Sequence, residues 1–363
     1  MRCAASSCSP VRIAGRSICL TTFARTAGTT PAGRSSRSST PNRIGMASNS
    51  HVTAFLFPGQ GSQEVGMGKE LAARYPAAAL VFEEADEIVG FALSRLCWEG
   101  PAEELNDTVN TQPALLCHSV AALRALQSIR PDLRASWLAG HSLGEFSALV
   151  AAGAMQFPDA LRLVRTRGEA MKAAGARSPG GMAAVLGLDL RSVEAACAAA
   201  RAATGEPIQI ANDNCPGQLV ISGSQLGLAS AIEGLRAGGA RRVIELAVSI
   251  AAHSPLMEPA QSKLNQAIES TPISAPTIPV IGNVTATPLA SVAEIRGELR
   301  SQLTSRVRWT ETIGSMLAAG VTDFIELGPR DVLSNLVKRI ERGANASPAG
   351  DPAGIERLGG GQR

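Results

Sequence analysis

Apolar and polar positions along this chain alternate between short strand-like runs and longer helix-like stretches, the texture of an α/β sheet whose strands are largely parallel. Val52 to Phe57 is a short apolar strand that breaks into Pro58-Gly-Gln-Gly-Ser-Gln63. Helical spacing follows over Lys69 to Tyr75 and Ala114 to Gln127, then a strand at Trp137 to Ala139 and a helix over Phe146 to Met155. From Gly180 the texture changes. A strand at Met182 to Leu188, a helix at Arg191 to Ala203, strands at Ile208 to Ala211 and Gln218 to Ser222, a helix at Leu228 to Ala237 and a strand at Arg241 to Val248 give the order β-α-β-β-α-β. That order is the ferredoxin-like signature. The pattern therefore predicts a large subdomain over residues 51–179 and 249–342, with a smaller ferredoxin-like subdomain inserted at 180–248. The large subdomain resumes with a strand at Pro279 to Val284, a helix at Glu294 to Leu303, and a strand and helix around Val321 to Ile340.

Composition trims both ends. Residues 1–50 carry seven arginines and no acid, and are rich in Ser, Thr and Pro. Two readings stand: an organellar transit peptide, or an upstream extension with the start at Met46. The first places the protein in a plastid stroma or mitochondrial matrix, the second in the cytoplasm. Residues 343–363 are Gly, Ala, Pro and polar residues and read as a disordered tail. The formal charge of +3 belongs to the leader, since the remainder has 27 basic against 31 acidic residues. That balance argues against a nucleic-acid partner. No apolar run reaches the roughly 18 residues of a membrane span. The seven cysteines show no C-x-x-C spacing and read as thiols of a reducing compartment, and no metal site is visible.

Candidate chemistry concentrates at Gly140-His-Ser142-Leu-Gly144, a G-x-S-x-G placed where a strand gives way to a helix. Such a turn lifts the serine hydroxyl above the sheet, and the helix N-terminus behind it favours developing negative charge. The loop Gly59-Gln-Gly-Ser-Gln63 is no phosphate cradle: it lacks the following Lys-Ser/Thr, and Glu64 replaces the third glycine of G-x-G-x-x-G. Two glycines after a strand suit a backbone N–H donor instead. A serine nucleophile needs a base, and the chain has four histidines. His51 precedes the first strand, His118 lies in an apolar helical run, and His141 adjoins the serine with its side chain directed elsewhere. His253 remains, where the inserted subdomain hands back to the large one. Its ordinary pKa near 6.5 suits proton transfer at working pH.

At this point the motifs together resemble the malonyl-CoA:acyl carrier protein transacylases of type II fatty-acid synthesis. They are Phe57-Pro-Gly-Gln-Gly-Ser-Gln63, Gly140-His-Ser-Leu-Gly-Glu145, Arg167-Gly168, Asn212-Asp-Asn-Cys-Pro-Gly-Gln218, the His253 segment, Gln302 with Val307-Arg-Trp309, and Glu326-Leu-Gly-Pro329. The resemblance spans about residues 52 to 342. It implies that Ser142 attacks the malonyl-CoA thioester, that His253 is base and then acid, and that the backbone N–H groups of Gln60 and Leu143 form the oxyanion hole. It further implies that the Gln302 carbonyl orients the histidine, that Arg167 pairs with the malonyl carboxylate, and that Asn214 lines the substrate site. The phosphopantetheine thiol of acyl carrier protein accepts the acyl group, no cofactor takes part, and the enzyme is expected to be a monomer.

Read without that resemblance, Arg167 shares a helix with Arg162 and Arg165 and looks solvated. Two departures stand out: Cys215 replaces a common serine, and Ala251 and Ala252 before the histidine leave room for an α-substituent. A serine hydrolase would use the same pair, but an α/β-hydrolase keeps its histidine late in the chain. A free-standing polyketide-type acyltransferase shares all the motifs. For an acidic carrier protein, the basic candidates by position are Arg241 and Arg242 with Lys338 and Arg339.

Overall fold

The computed structural model describes residues 52–248 and 250–359; the leader readings, on residues 1–50, lie outside the described residues. Every residue of β1 (Thr53–Phe57) is buried, as a central strand covered on both faces must be. Its alternation divides two cores. Phe55 and Phe57 join the larger apolar cluster, while Ala54 and Leu56 join a second one with Trp309 and Phe324.

Before the next strand come α1 (Lys69–Arg74), α2 (Pro76–Val89), α3 (Leu93–Glu99), α4 (Ala102–Asn106) and α5 (Thr108–Ile129). Pro76 opens α2 where its missing N–H is not needed, and Gly90 closes it in the left-handed conformation. Asp107 caps α5 by accepting from the Val109 N–H. Then follow β2 (Trp137–Gly140), α6 (Gly144–Ala151) and α7 (Phe157–Arg177).

The inserted unit runs β3 (Gly180–Leu186), α8 (Leu190–Thr204), β4 (Ile208–Cys215), β5 (Gln218–Ser224), α9 (Gln225–Ala237) and β6 (Arg242–Glu245). Its sheet has the order β4-β5-β3-β6 with every pair antiparallel, the ferredoxin-like arrangement the sequence predicts. Asp189 and Ser224 cap its two helices. The chain then forms α10 (Glu258–Ser270), β7 (Val280–Ile281), β8 (Pro288–Leu289), α11 (Val292–Ser301), α12 (Trp309–Ala318), β9 (Asp323–Glu326), α13 (Val332–Ile340), β10 (Asn345–Pro348) and α14 (Pro352–Gly359). The large sheet has the order β10-β9-β1-β2-β7-β8, parallel throughout except that β8 returns antiparallel to β7.

One reading needs correction. The stretch after residue 342, read as a disordered tail, is part of the fold as far as Gly359. β10 pairs parallel with β9, and Ala349 and Ile355 are fully buried. Its small residues serve close packing: a Cβ on Gly350 would meet the Gly328 carbonyl oxygen at 1.7 Å, and one on Gly354 the Pro348 carbonyl oxygen at 2.6 Å. The strand expected over Pro279 to Val284 is also shorter, because the backbone leaves the sheet at Gly282, whose N–H donates to the Thr287 carbonyl as the chain turns back into β8.

Candidate active site

The turn between β2 and α6 is built by close approach. A Cβ on Gly140 would lie 1.9 Å from Gly144 backbone atoms, and one on Gly144 would lie 1.9 Å from the Phe57 carbonyl oxygen. Only glycine fits at either place. Ser142, held between them, has φ 52°, a left-handed backbone that an L-residue adopts under strain. Asn283 clamps this turn: its Oδ1 accepts from the Ser142 N–H at 2.6 Å, and its Nδ2 donates to the Gly140 carbonyl at 2.7 Å. Asn283 is itself fully buried and fixed, its N–H donating to Glu145 Oε1 and its carbonyl accepting from the Arg308 N–H.

Ser142 Oγ lies 2.8 Å from His253 Nε2. On the far side of the ring, Nδ1 faces the Gln302 carbonyl at 2.9 Å and the Ser305 carbonyl at 3.1 Å. Both partners are acceptors, so Nδ1 carries the proton and Nε2 presents its lone pair to the serine. His253 also has a left-handed backbone, φ 58°. Gln209 on β4 holds it there by donating to the His253 carbonyl at 2.7 Å and the Thr304 carbonyl at 3.1 Å. Burial, and next the Arg167 charge, push the imidazole pKa down to about 3. The ring is neutral at physiological pH.

Arg167 is 1 % exposed, so its solvated reading from helical neighbours is overturned. Gly168 explains how: a Cβ there would meet the Thr108 carbonyl oxygen at 2.7 Å, so α7 can approach α5 closely only with glycine. Arg167 Nη1 donates to Gln112 Oε1 at 2.8 Å, and Nη2 donates to Gln302 Oε1 at 2.9 Å and to Ser142 Oγ at 3.2 Å. Its guanidinium also lies over the Phe146 ring, 5.7 Å from the centroid. Burial brings its pKa down to about 10, leaving it charged. Among the described residues no carboxylate pairs with it. The nearest acid, buried Glu145, bonds Gln302 Nε2 instead. Burial and then neighbouring Glu298 push the Glu145 carboxyl well above the usual range.

The backbone N–H groups of Gln60 and Leu143 donate to no other group among the described residues. The first follows Gly59, whose Cβ would strike the His141 carbonyl oxygen at 2.3 Å, so the loop after β1 lies against the serine turn. Gln60 Oε1 accepts from Thr108, which accepts in turn from Gln112. Asn214 is directed at His141, Oδ1 to Nε2 at 2.9 Å. Around it, β4 is stitched to the large subdomain: Asp213 N–H donates to the Val307 carbonyl, and Val307 N–H to the Ala211 carbonyl. The structure thus brings together Ser142, His253, Gln302, Arg167, Gln60 and Leu143, and places Asn214 one residue away, behind His141. Gln112, Thr108, Glu145, Gln209 and Asn283 escape the sequence reading. Glu145 and Gln112 carried a signal, a polar residue inside an apolar helix; Asn283 and Gln209 carried none.

A left-handed serine at a strand-to-helix turn, a neutral histidine and two N–H donors without partners among the described residues define an acyl-transfer site of the nucleophile-elbow class. The chain belongs to the acyl transferase domain family, which matches residues 54–351. It is 48 % identical over 305 residues to the malonyl CoA-acyl carrier protein transacylase of Bacillus subtilis, covering 84 % of this chain and 95 % of that one. The counterpart in Escherichia coli K12 is 43 % identical over 302 residues, 83 % of this chain and 97 % of that one. Among solved structures, a type II PKS acyl carrier protein in complex with its malonyl-transacylase matches with a TM-score of 0.81 at 41 % identity, over 84 % of this chain and 98 % of that one.

Proposed function

We infer that this chain transfers a malonyl group from malonyl-CoA to the phosphopantetheine thiol of acyl carrier protein. The observation that carries the reading is Arg167: a buried guanidinium with no carboxylate partner among the described residues, bonded to the same hydroxyl that the base contacts. A malonyl thioester brings its own carboxylate to that place. Ser142 Oγ attacks the thioester carbon while His253 Nε2 takes the hydroxyl proton, and the oxyanion lodges against the Gln60 and Leu143 N–H groups. Collapse expels the CoA thiolate, which receives the proton from His253 and leaves malonyl-Ser142. The carrier thiol then gives its proton to His253 and attacks the ester, and the serine oxygen leaves with that proton returned from His253. No bound cofactor is required by these steps. One relative is named a polyketide biosynthesis protein, and one solved neighbour is the transacylase of a type II PKS carrier.

Selectivity follows from the unpaired cation. An acetyl group would leave Arg167 buried without a counter-ion, a penalty of roughly 2 to 5 kcal/mol relative to malonyl. Malonyl-CoA is expected to exceed acetyl-CoA strongly in competition, and Arg167→Ala to shrink or reverse that ratio. An unchanged ratio in the variant would assign carboxylate recognition elsewhere.

Docking of the carrier is proposed at a basic cluster on one end of the small sheet. Leu186 on β3 pairs with Arg242 on one side and Gln218 on the other, and Gln218 accepts from Arg339 of α13. Arg241, Arg242, Lys338 and Arg339 are all exposed, so four cations gather where an acidic carrier could steer in. Reversing Arg241 and Arg242 to Glu should raise the KM for acyl carrier protein and weaken its salt dependence, while labelling by malonyl-CoA stays normal. Steady-state kinetics at two ionic strengths check this, and an unaltered KM moves the docking patch elsewhere. We propose a monomer working in the cytoplasm, or in a plastid stroma or mitochondrial matrix where residues 1–50 direct import. No helix among the described residues is long and apolar enough to cross a membrane.

A further inference from the structure

The base in this site has an unusual set of neighbours. In a Ser-His-Asp triad a carboxylate behind the imidazole stabilises its protonated form. Here the groups behind His253 are the neutral Gln302 and Ser305 carbonyls, and Gln209 of β4 donates to its backbone. In front, from α7, stands the Arg167 guanidinium, separated from Nε2 by the single Ser142 oxygen that both contact. His141, just after β2, is half-buried, and its loss of solvation lowers its pKa. Glu145 of α6 stands behind Gln302, bonded to the Gln302 amide rather than to Arg167 or His253. Among the described residues, every group facing His253 is thus neutral or positive.

Burial first, and that arrangement next, weaken the base in the empty enzyme. A like charge within a few ångströms in a buried site lowers a histidine pKa by about 1–3 units, and a base far below the working pH transfers protons poorly. The Arg167 contribution vanishes when an anion neutralises it. We propose that the substrate's own terminal carboxylate, on seating against Arg167, switches on His253 as the base, so that an acyl thioester lacking that carboxylate meets a disabled catalyst as well as a poorer fit. The acyl-enzyme keeps the carboxylate in place, so the base stays active for the incoming thiol and returns to its weak state once the product leaves. Selectivity then appears in the rate of acylation at saturation and not in binding alone. This inference rests on the malonyl-transfer reading above.

The test uses Ser142→Ala, which holds thioesters uncleaved, with ¹⁵N-labelled histidines followed by NMR from about pH 8 to about pH 4.5. The His253 signal is assigned by its loss in Ser142→Ala/His253→Gln. In the ligand-free protein and with saturating acetyl-CoA the ring should stay neutral over the range. With saturating malonyl-CoA its titration should move up by about 1–3 units. A second variant, Arg167→Gln, should move the ligand-free titration up by a comparable amount, and in single-turnover kinetics should raise the saturated acetyl-transfer rate by about 3- to 30-fold. Malonyl-CoA that saturates the site by calorimetry without moving the His253 titration overturns the gate and leaves the transfer reading standing. Equal shifts from malonyl-CoA and acetyl-CoA also overturn it, because desolvation rather than the carboxylate would then be responsible. Failure of malonyl-CoA to bind overturns the transfer reading itself, and the gate with it.

Discussion

Ser142→Ala is expected to abolish covalent labelling by malonyl-CoA while the protein keeps its fold. Among the described residues the hydroxyl is the group placed to become an ester: it is held at the strained turn, 2.8 Å from the base and 3.2 Å from the guanidinium. Neither bond is needed to keep the turn, which is fixed by the Asn283 clamp and by two glycines that admit no Cβ. Intact-mass analysis after incubation with malonyl-CoA gives the outcome. A malonyl adduct on the Ala variant would mean that another nucleophile operates.

His253→Ala should slow acylation by about 10² to 10⁴. The imidazole is the proton carrier of both half-reactions, and no second base stands within hydrogen-bond reach of Ser142 Oγ among the described residues; its other side-chain contact is the charged Arg167. Rapid-quench measurement of the acyl-enzyme decides the point, and acylation at the wild-type rate would remove His253 from the mechanism. The pH dependence carries a sign. His253 in the free enzyme titrates well below the ordinary histidine value, so kcat/KM should hold on the acid side of pH 6.5 rather than fall through it.

Much of the site was legible because its central part is local. The residues from Gly140 to Gly144 are consecutive, and a strand before them with a helix after them is enough to place Ser142 at a sharp turn. The ferredoxin-like insert was legible for the same reason, since its element order is complete within one stretch of chain. His253 came from elimination among four histidines and from its place where one subdomain hands back to the other. Arg167 was not legible from its own helix, because exposed Arg162 and half-buried Arg165 share that helix and only the packing of α7 on α5 at Gly168 buries Arg167 fully.

The sequence by itself determined the alternation of strand and helix, the buried central strand, the nucleophile turn and the cast of polar residues. These depend on periodicity and on short-range backbone sterics, which act over a few residues. Only the tertiary structure decided which of the polar residues meet. Ser142 and His253 are 111 positions apart, Arg167 and Gln302 are 135 apart, and the Asn283 clamp reaches across 141. It also decided that the small-residue segment after 342 is the edge strand and last helix of the fold, where glycines permit backbone contact. Side-chain hydrogen bonds over such separations form only after two sheets and their helices have packed, so their partners are set by the closing of the core rather than by any local run of residues.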